Sequence, residues 1–307
     1  MNISDPLQIQ AMYQSLDTSY QAGIEEAAPF ADQIAQRVPS TARSTRHVWI
    51  PQVGKFKKYV NEKDVERLTA RTWVVENDKY EDTLEIREED VEDDQIGMLA
   101  VSARMIGNAA AKWPDDMIVE CIQKATSTLA FDGQFYFDTD HPVNQDKPLL
   151  GTYSNLFSGM PLTDANFALA LQYMTTFKGE NGRFIPIKPI AILVDPTNTY
   201  KARQILGADV IAVTQGGGAA AVTNLNKNEV PAITIPEFGN EAGSWYMLGA
   251  LGGLKPFTVQ VRKEPKTVAL TDDQAANVFW HDKMVWGAKA RGAASFTFPY
   301  LAMKFTP

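Results

Sequence analysis

The sequence predicts an α+β protein, and three patterns carry that expectation. An apolar stripe of helical period, Met98, Val101, Met105, Ile106 and Ala109, resumes as Ile118, Cys121, Ile122, Ala125 and Leu129 and marks an extended helical region interrupted at Pro114. A short, wholly apolar run at 190–194 turns at Asp195-Pro196 into a helical pattern closed by Gly207, which makes the middle of the chain a strand-and-helix unit. Alternating apolar and polar residues on both sides of these features read as strands.

Residues 6–37 read as a helical arm. Met12, Leu16, Tyr20 and Ile24 recur at intervals of four, and Phe30 and Ile34 continue the pattern after Pro29. Rich in Gln and Ala, this arm packs weakly alone and is expected to lie on another element or another subunit. Residues 47–50 form a strand ended by Pro51. Residues 72–75 and the alternation Tyr80, Asp82, Leu84, Ile86 suggest its return, so 43–90 is expected to be a long two-stranded excursion. A two-stranded ribbon is marginal alone in water, so it must lie on something.

In the long helical region Pro114 suits a first helical position, with Asp115 and Asp116 in the first turn against the helix dipole. Two helices or one kinked helix are both allowed. The near-continuous phase of the stripe favours one kinked helix. The aromatic and acidic segment 131–142, FDGQFYFDTDHP, gives way to a loop through 161. Thr163 caps a helix running to Phe177, with Phe167, Ala170, Leu171 and Met174 inward. Residues 189–194 are a strand buried on both faces, followed by a helix at 198–206. Residues 216–222 read as an exposed loop of small residues. Further strands are expected at 230–238, 244–248, 257–263 and 288–298, the last ones returning to the long helix.

Charge is distributed unevenly. Residues 37–71 hold nine basic side chains against three acidic ones, and residues 76–94 hold eleven acidic against two basic, Lys79 and Arg87, in a chain of net charge −8. Adjacent fields of opposite sign favour head-to-tail association of identical copies. The plainer alternative is a solvated hairpin whose halves neutralise each other. With 45% hydrophobic and 21% charged residues, the 307-residue chain is globular and long enough for two domains. The single Cys121 cannot form an internal disulfide. No secretory leader pattern and no run of eighteen apolar residues is present.

Motifs of catalysis are sparse. Only His47, His141 and His281 are available, and no HExxH, paired CxxC, phosphate loop or nucleophile elbow occurs. The Gly216–Gly218 run lacks the Lys-Ser/Thr that a phosphate loop needs. The best site-like constellation is Asp132, Asp138, Asp140 and His141, whose i, i+2 carboxylates and imidazole have the chemistry to chelate a divalent ion. Turn-fixing by the same residues is the structural alternative. Asp195 has the placement of a catalytic aspartate at a strand end, and helix capping covers it equally well. Trp280, His281, Asp282 and Lys283 read as aromatic packing beside a solvated turn. No catalytic, cofactor or metal residue is therefore assigned.

The segment 131–142 resembles the signature of major head (capsid) subunits of Mu-like phages and prophages. The order around it fits that family: polar arm, charged extended loop, long helix, signature, α/β middle and closing strands. Residues 279–305, with Gly287, Arg291 and Pro299, resemble the family's closing strand region.

That resemblance implies the tailed-phage major capsid fold. Residues 1–42 would form an N-terminal arm, 43–92 an extended β-hairpin loop, and 93–159 a peripheral domain with a long spine helix. Residues 160–260 would form a mixed α/β axial domain, and 261–307 closing strands that return to the peripheral domain. It implies a major capsid protein that self-assembles through hexamers and pentamers into an icosahedral shell around phage double-stranded DNA. Its implied partners are identical subunits, a separate scaffold protein, a maturation protease, a portal and, non-specifically, the packaged DNA, with no membrane and no cofactor. The implied locations are the virion and, during assembly, the host cytoplasm. The basic loop with Lys55, Lys57 and Lys58 would meet an acidic surface on a neighbour. Trp49, Phe56, Tyr59 and Trp73 would anchor it and the charges would set register. Lys55, Lys57 and Lys58 are not assigned to the covalent Lys–Asn cross-link known in some relatives. The alternative is a bacterial nanocompartment shell protein enclosing protein cargo.

Overall fold

The computed structural model describes residues 6–49, 71–87, 97–145, 148–179, 182–215, 218–270 and 283–307. The chain begins with α1 (Pro6–Glu26), passes through the single turn α2 (Ala31–Ile34) and straightens into β1 (Ala35–Pro39). Strands β2 (Ser44–Trp49), β3 (Arg71–Glu76) and β4 (Asp78–Arg87) precede the long helix α3 (Met98–Gln123). Short strands β5 (His141–Pro142), β6 (Thr152–Tyr153) and β7 (Leu156–Phe157) lead to α4 (Asp164–Thr175), β8 (Lys188–Val194) and α5 (Thr199–Gly207). A hairpin of β9 (Val210–Gln215) and β10 (Gly218–Thr223) is followed by β11 (Ala232–Thr234) and β12 (Trp245–Ala250). The chain closes on β13 (Phe257–Leu270), β14 (Lys283–Phe296) and β15 (Ala302–Phe305).

Two sheets share α3. One has the order β1-β13-β14-β4 and the other β11-β8-β12-β15-β7. The C-terminal half of α3 buries Trp113, Met117, Ile118 and Ile122 against Phe257, Val259 and Phe296 of the first sheet and Ala191, Leu193, Tyr246 and Leu248 of the second. On the other face of the second sheet, Ile192, Val194, Trp245 and Met247 meet Phe167 and Met174 of α4 and Ile205 of α5. This alternation is why 191–194 read as an unbroken apolar run: β8 is buried on both faces.

The arm packs more firmly than its polarity suggests. Tyr13, Leu16 and Tyr20, one face of α1, are buried with Ala103 and Ile106 of α3 and with Ile86, Met284 and Trp286 of the first sheet. Tyr20 meets the Trp286 ring edge-on at 5.9 Å. Close approach depends on two glycines. A Cβ on Gly23 would lie 2.0 Å from the Arg104 carbonyl oxygen, and one on Gly107 would lie 2.0 Å from that of Tyr20. The arm therefore lies on its own chain, and its last residues are strand, since β1 pairs in parallel with β13.

Helix α3 is one continuous helix with Pro114 inside it, as the phase of the stripe favours. Asp115 and Asp116 are accordingly mid-helix, not in a first turn. Asp115 turns sideways and accepts the backbone N–H of Ala31 at 2.7 Å and that of Phe30 at 3.1 Å, capping α2 from a distance.

Four other expectations change. Strand β4 pairs with β14, from Lys283↔Arg87 to Gly292↔Asp78, and not with the basic strand before it, because Leu84 and Ile86 find their apolar partners on β14. The excursion's described root is β2 with β3 alone. Part of the expected loop 216–222 is strand β10, paired with β9. The strand expected at 230–238 shortens to β11, because Pro236 starts a helical turn. Strand β13 runs on to Leu270 beside β14, while β15 leaves that pair and enters the second sheet between β12 and β7, where Phe305 stacks on Trp245.

Candidate assembly interface

The root of the ribbon is fixed in register from Ser44↔Glu76 to Trp49↔Arg71. Residues 50–70, with Lys55, Phe56, Lys57, Lys58 and Tyr59, lie outside the described residues, as do 88–96 and His281. Trp49 is described as strand backbone. Trp73 is half-buried, at the mouth of a cleft of about 270 Å³ between β3 and α3 that Glu76, Asp78, Glu120 and Cys121 also line. Burial pushes the Cys121 thiol well above its ordinary range, so it stays protonated and inert. Across the ribbon root, Arg43 and Glu76 stand 3.9 Å apart, both largely exposed, a contact that contributes little.

A buried polar network clamps this root to the first sheet. His47 Nε2 donates to Gln260 Oε1 at 2.9 Å, and Gln260 Nε2 donates to Asn77 Oδ1 at 2.7 Å. Asn77 Nδ2 donates to Ser40 Oγ and to the Ala42 carbonyl, both at 2.9 Å, and Ser40 shares a 2.8 Å bond with Thr45. Gln260 is wholly enclosed. Buried polar chains of this kind specify one arrangement, because breaking any link strands its neighbour. The direction in which the ribbon leaves the body is therefore set by Gln260 and Asn77, which sequence reading did not single out.

The apolar stripe expected to face inward on α3 divides. Ile106 is buried, with Ala103 and Gly107, whereas Val101 and Met105 are exposed, Met105 by 69%. The sheet and α1 occupy only one side of the helix, so its other apolar side faces out. Beside it a cleft lined by Tyr80, Asp82, Ile106, Ala109 and Trp113 opens along the β4 edge of the sheet.

The signature segment is a structural knot. His141 Nδ1 and Asp132 Oδ2 lie 2.6 Å apart, both side chains essentially without solvent contact. Asn155 Nδ2 donates to the carbonyls of Tyr136 at 2.7 Å and Pro299 at 2.9 Å. Its Oδ1 is thereby turned to accept from the Asp138 backbone N–H at 2.9 Å and from His141 Nε2 at 3.2 Å. Both imidazole nitrogens thus face acceptors inside the protein. Asp138 holds the N–H of Thr139, and Asp140 is exposed and apart. The structure brings together two of the four proposed chelators, and among the described residues no group of three His, Cys, Asp or Glu is placed to hold a metal. Asp195 caps the turn after β8, accepting from the N–H groups of Asn198 and Thr197 and also of Gly243, so it ties that turn to the approach of β12. No sequence cue marked Asn155, whose side chain ties the segment 136–141 to Pro299, 144 positions further along the chain.

A family of Mu-like prophage major head subunits (gpT) matches residues 9–161, 156–238 and 226–306. The Mu-like prophage FluMu major head subunit of Haemophilus influenzae is 22% identical over 295 residues, 96% of this chain and 71% of the relative. The major capsid protein of Escherichia phage Mu is 29% identical over 167 residues, 52% of this chain and 55% of the relative. In three dimensions the procapsid of bacteriophage JBD30 is similar with a TM-score of 0.58, 22% identity, and coverage of 99% of this chain and 76% of that one, a likeness of fold.

Proposed function

This chain belongs to the Mu-like prophage major head subunit family, and from that premise we propose that it assembles through hexamers and pentamers into an icosahedral shell enclosing phage double-stranded DNA. In this reading α1 to β1 are the arm and β2 to β3 the root of the extended loop. Helix α3 with the first sheet forms the peripheral domain, and the second sheet with α4 and α5 the axial domain. The basic strip 50–71 seats on an acidic surface of a neighbour.

One observation carries the assembly part of the reading. The acidic strand β4 is zipped to β14, so it is not the antiparallel partner of the basic ribbon, and among the described residues the two blocks meet at the ribbon root, where Arg43 stands beside Glu76. Exposed Val101 and Met105 on α3 add apolar surface of the kind an interface covers. A separate scaffold protein, a maturation protease and a portal are the expected partners, with non-specific contact to DNA. The family match favours a phage head over a nanocompartment shell around protein cargo.

Negative-stain microscopy of the purified protein across concentration and salt tests the proposal. Closed particles are expected to form and to weaken as salt screens the charge contacts. A protein that stays monomeric at every concentration, alone and with scaffold protein, removes the proposal. Particles that copurify with a protein cargo and no DNA favour the nanocompartment.

A further inference from the structure

Directly opposed residues in an antiparallel pair share a face of the sheet. Arg291 on β14 is opposed by Lys79 on β4 and by Lys263 on β13. Two residues along, Lys289 is opposed by Glu81 and Lys266. The period of two puts both rows on one face. It is the face turned away from the helices, because Met284, Trp286 and Ala288 of β14 point toward α1 and α3.

Five cations and one carboxylate therefore form a patch three strands wide. Like charges opposed across strands destabilise a sheet. Among the described residues none of the five cations forms an ion pair. The four lysines are exposed, and Arg291 Nε is buried with no hydrogen-bond partner. An arrangement unfavourable in the isolated subunit points to an anion supplied from outside it.

The densest anionic run in the chain is residues 88–94, with six carboxylates and no base. Its own copy cannot lay the run across the far row of the patch, Lys79, Lys263 and Arg291. Residues 88–96 join Arg87 to the start of α3, and that start lies at the same end of the sheet, since Leu99 packs in one cluster with Ile86 and Met284. With both ends held there, full extension carries the midpoint, Glu92, about 18 Å. Lys79 and Arg291 lie eight residues back along β4, roughly 26 Å away.

We propose that the patch of Lys79, Lys263, Lys266, Lys289 and Arg291 seats the acidic run 88–94 of a second copy of this chain. The contact is head-to-tail, between two unlike surfaces. It rests on the shell reading and specifies a pairing separate from that of the basic strip.

The test uses equal amounts of unlabelled and nitrogen-15-labelled protein, mixed and assembled at low salt. A zero-length carbodiimide then joins lysine amines to carboxylates within contact distance. Mass spectrometry should find mixed-label cross-links between peptides bearing Lys263 or Lys266 and the peptide bearing 88–94. Cross-links confined to single-label pairs, or none in material that microscopy shows to be assembled, overturn the proposal. K263E/K266E should lower particle yield about tenfold at physiological salt, and combining it with E89K/D90K should restore the yield. Failure of that exchange to restore yield also overturns it. Protection of Lys263 and Lys266 from acetylation by a short DNA duplex, and not by the second copy, would make the patch a nucleic-acid surface and end the proposal. Mixed-label cross-links in dimers that never form shells would keep the contact and discard the shell.

Discussion

Asp115, in the middle of α3, accepts the backbone N–H of Ala31 at 2.7 Å across 84 positions of sequence. One carboxylate thereby joins the long helix to the point where the arm turns into β1. Burial raises its pKa, outweighing the two backbone donors that lower it, and Asp116 and Asp32 add to the rise. The folded protein then holds this proton more tightly than the unfolded chain does. The associated stability is complete below the ordinary carboxylate range and is lost as pH rises through the elevated value. Asp115→Asn keeps an acceptor and removes the charge, so it should flatten that slope, leaving the share of Asp116, which burial also raises. Asp115→Ala strands two N–H groups and should cost about 2 kcal/mol. Urea unfolding of the unassembled subunit at several pH values reads both. An unchanged slope in Asp115→Asn would contradict the argument.

Gly107→Ala tests the crossing of α1 and α3. Alanine gains about 1 kcal/mol of helix propensity over glycine, but its Cβ would sit 2.0 Å from the Tyr20 carbonyl oxygen. Forcing the helices apart costs about 1–3 kcal/mol, so the net effect should be destabilising, and Gly23→Ala should behave alike. Gly207→Ala, where a Cβ meets nothing within 4 Å, is the control and should be neutral or slightly stabilising. Thermal unfolding distinguishes the three.

Features decided by adjacent residues were legible in the sequence. Thr163 accepts from the Asn166 N–H as an N-cap should, Asp195 caps its turn, and the apolar run of β8 is buried on both faces. Features decided by distant partners were not. Nothing local tells that β4 pairs with a strand two hundred residues later, or that α3 presents Ile106 inward and Met105 outward. The signature 131–142 was legible as a feature but misleading as chemistry. Its Asp and His pattern suits a metal, whereas Asn155, outside the pattern, decides that the imidazole is enclosed. An α+β chain was readable because period and composition are local; the division of its strands between two sheets is not.

Asn155→Asp is the sharpest probe of that knot. It preserves Oδ1 for the Asp138 N–H but places an oxygen where Nδ2 now donates to the carbonyls of Tyr136 and Pro299. A buried carboxylate facing two carbonyl oxygens should destabilise by at least about 3 kcal/mol, more than Asn155→Ala. Chemical denaturation measures the order, and equal losses would mean the two donor bonds carry little.

Gln260→Leu should loosen the ribbon without unfolding the body. It fills the same space but leaves Asn77 Oδ1 without its donor and removes the acceptor that His47 uses. Amide hydrogen exchange should accelerate in 44–49 and 71–76 and stay slow in β8 and β12, whose far faces are buried against α4 and α5, away from the ribbon root. Uniform acceleration across both sheets would show that Gln260 supports the whole fold.

Reversing Lys55, Lys57 and Lys58 to Glu tests the role proposed for the basic strip. An exposed ion pair contributes only about 0–1 kcal/mol, so no single substitution should matter much. Three reversals replace attraction by repulsion at every copy of the contact in a closed shell, and the small terms then multiply. The monomer should keep its circular dichroism and thermal midpoint, because the two sheets and α3 are packed by the apolar clusters around Trp113, Trp245 and Trp286. Particle yield at physiological salt should fall sharply and recover in part when an acidic surface is reversed to match. A yield equal to that of the parent protein would mean that the strip finds its counter-charges within its own chain.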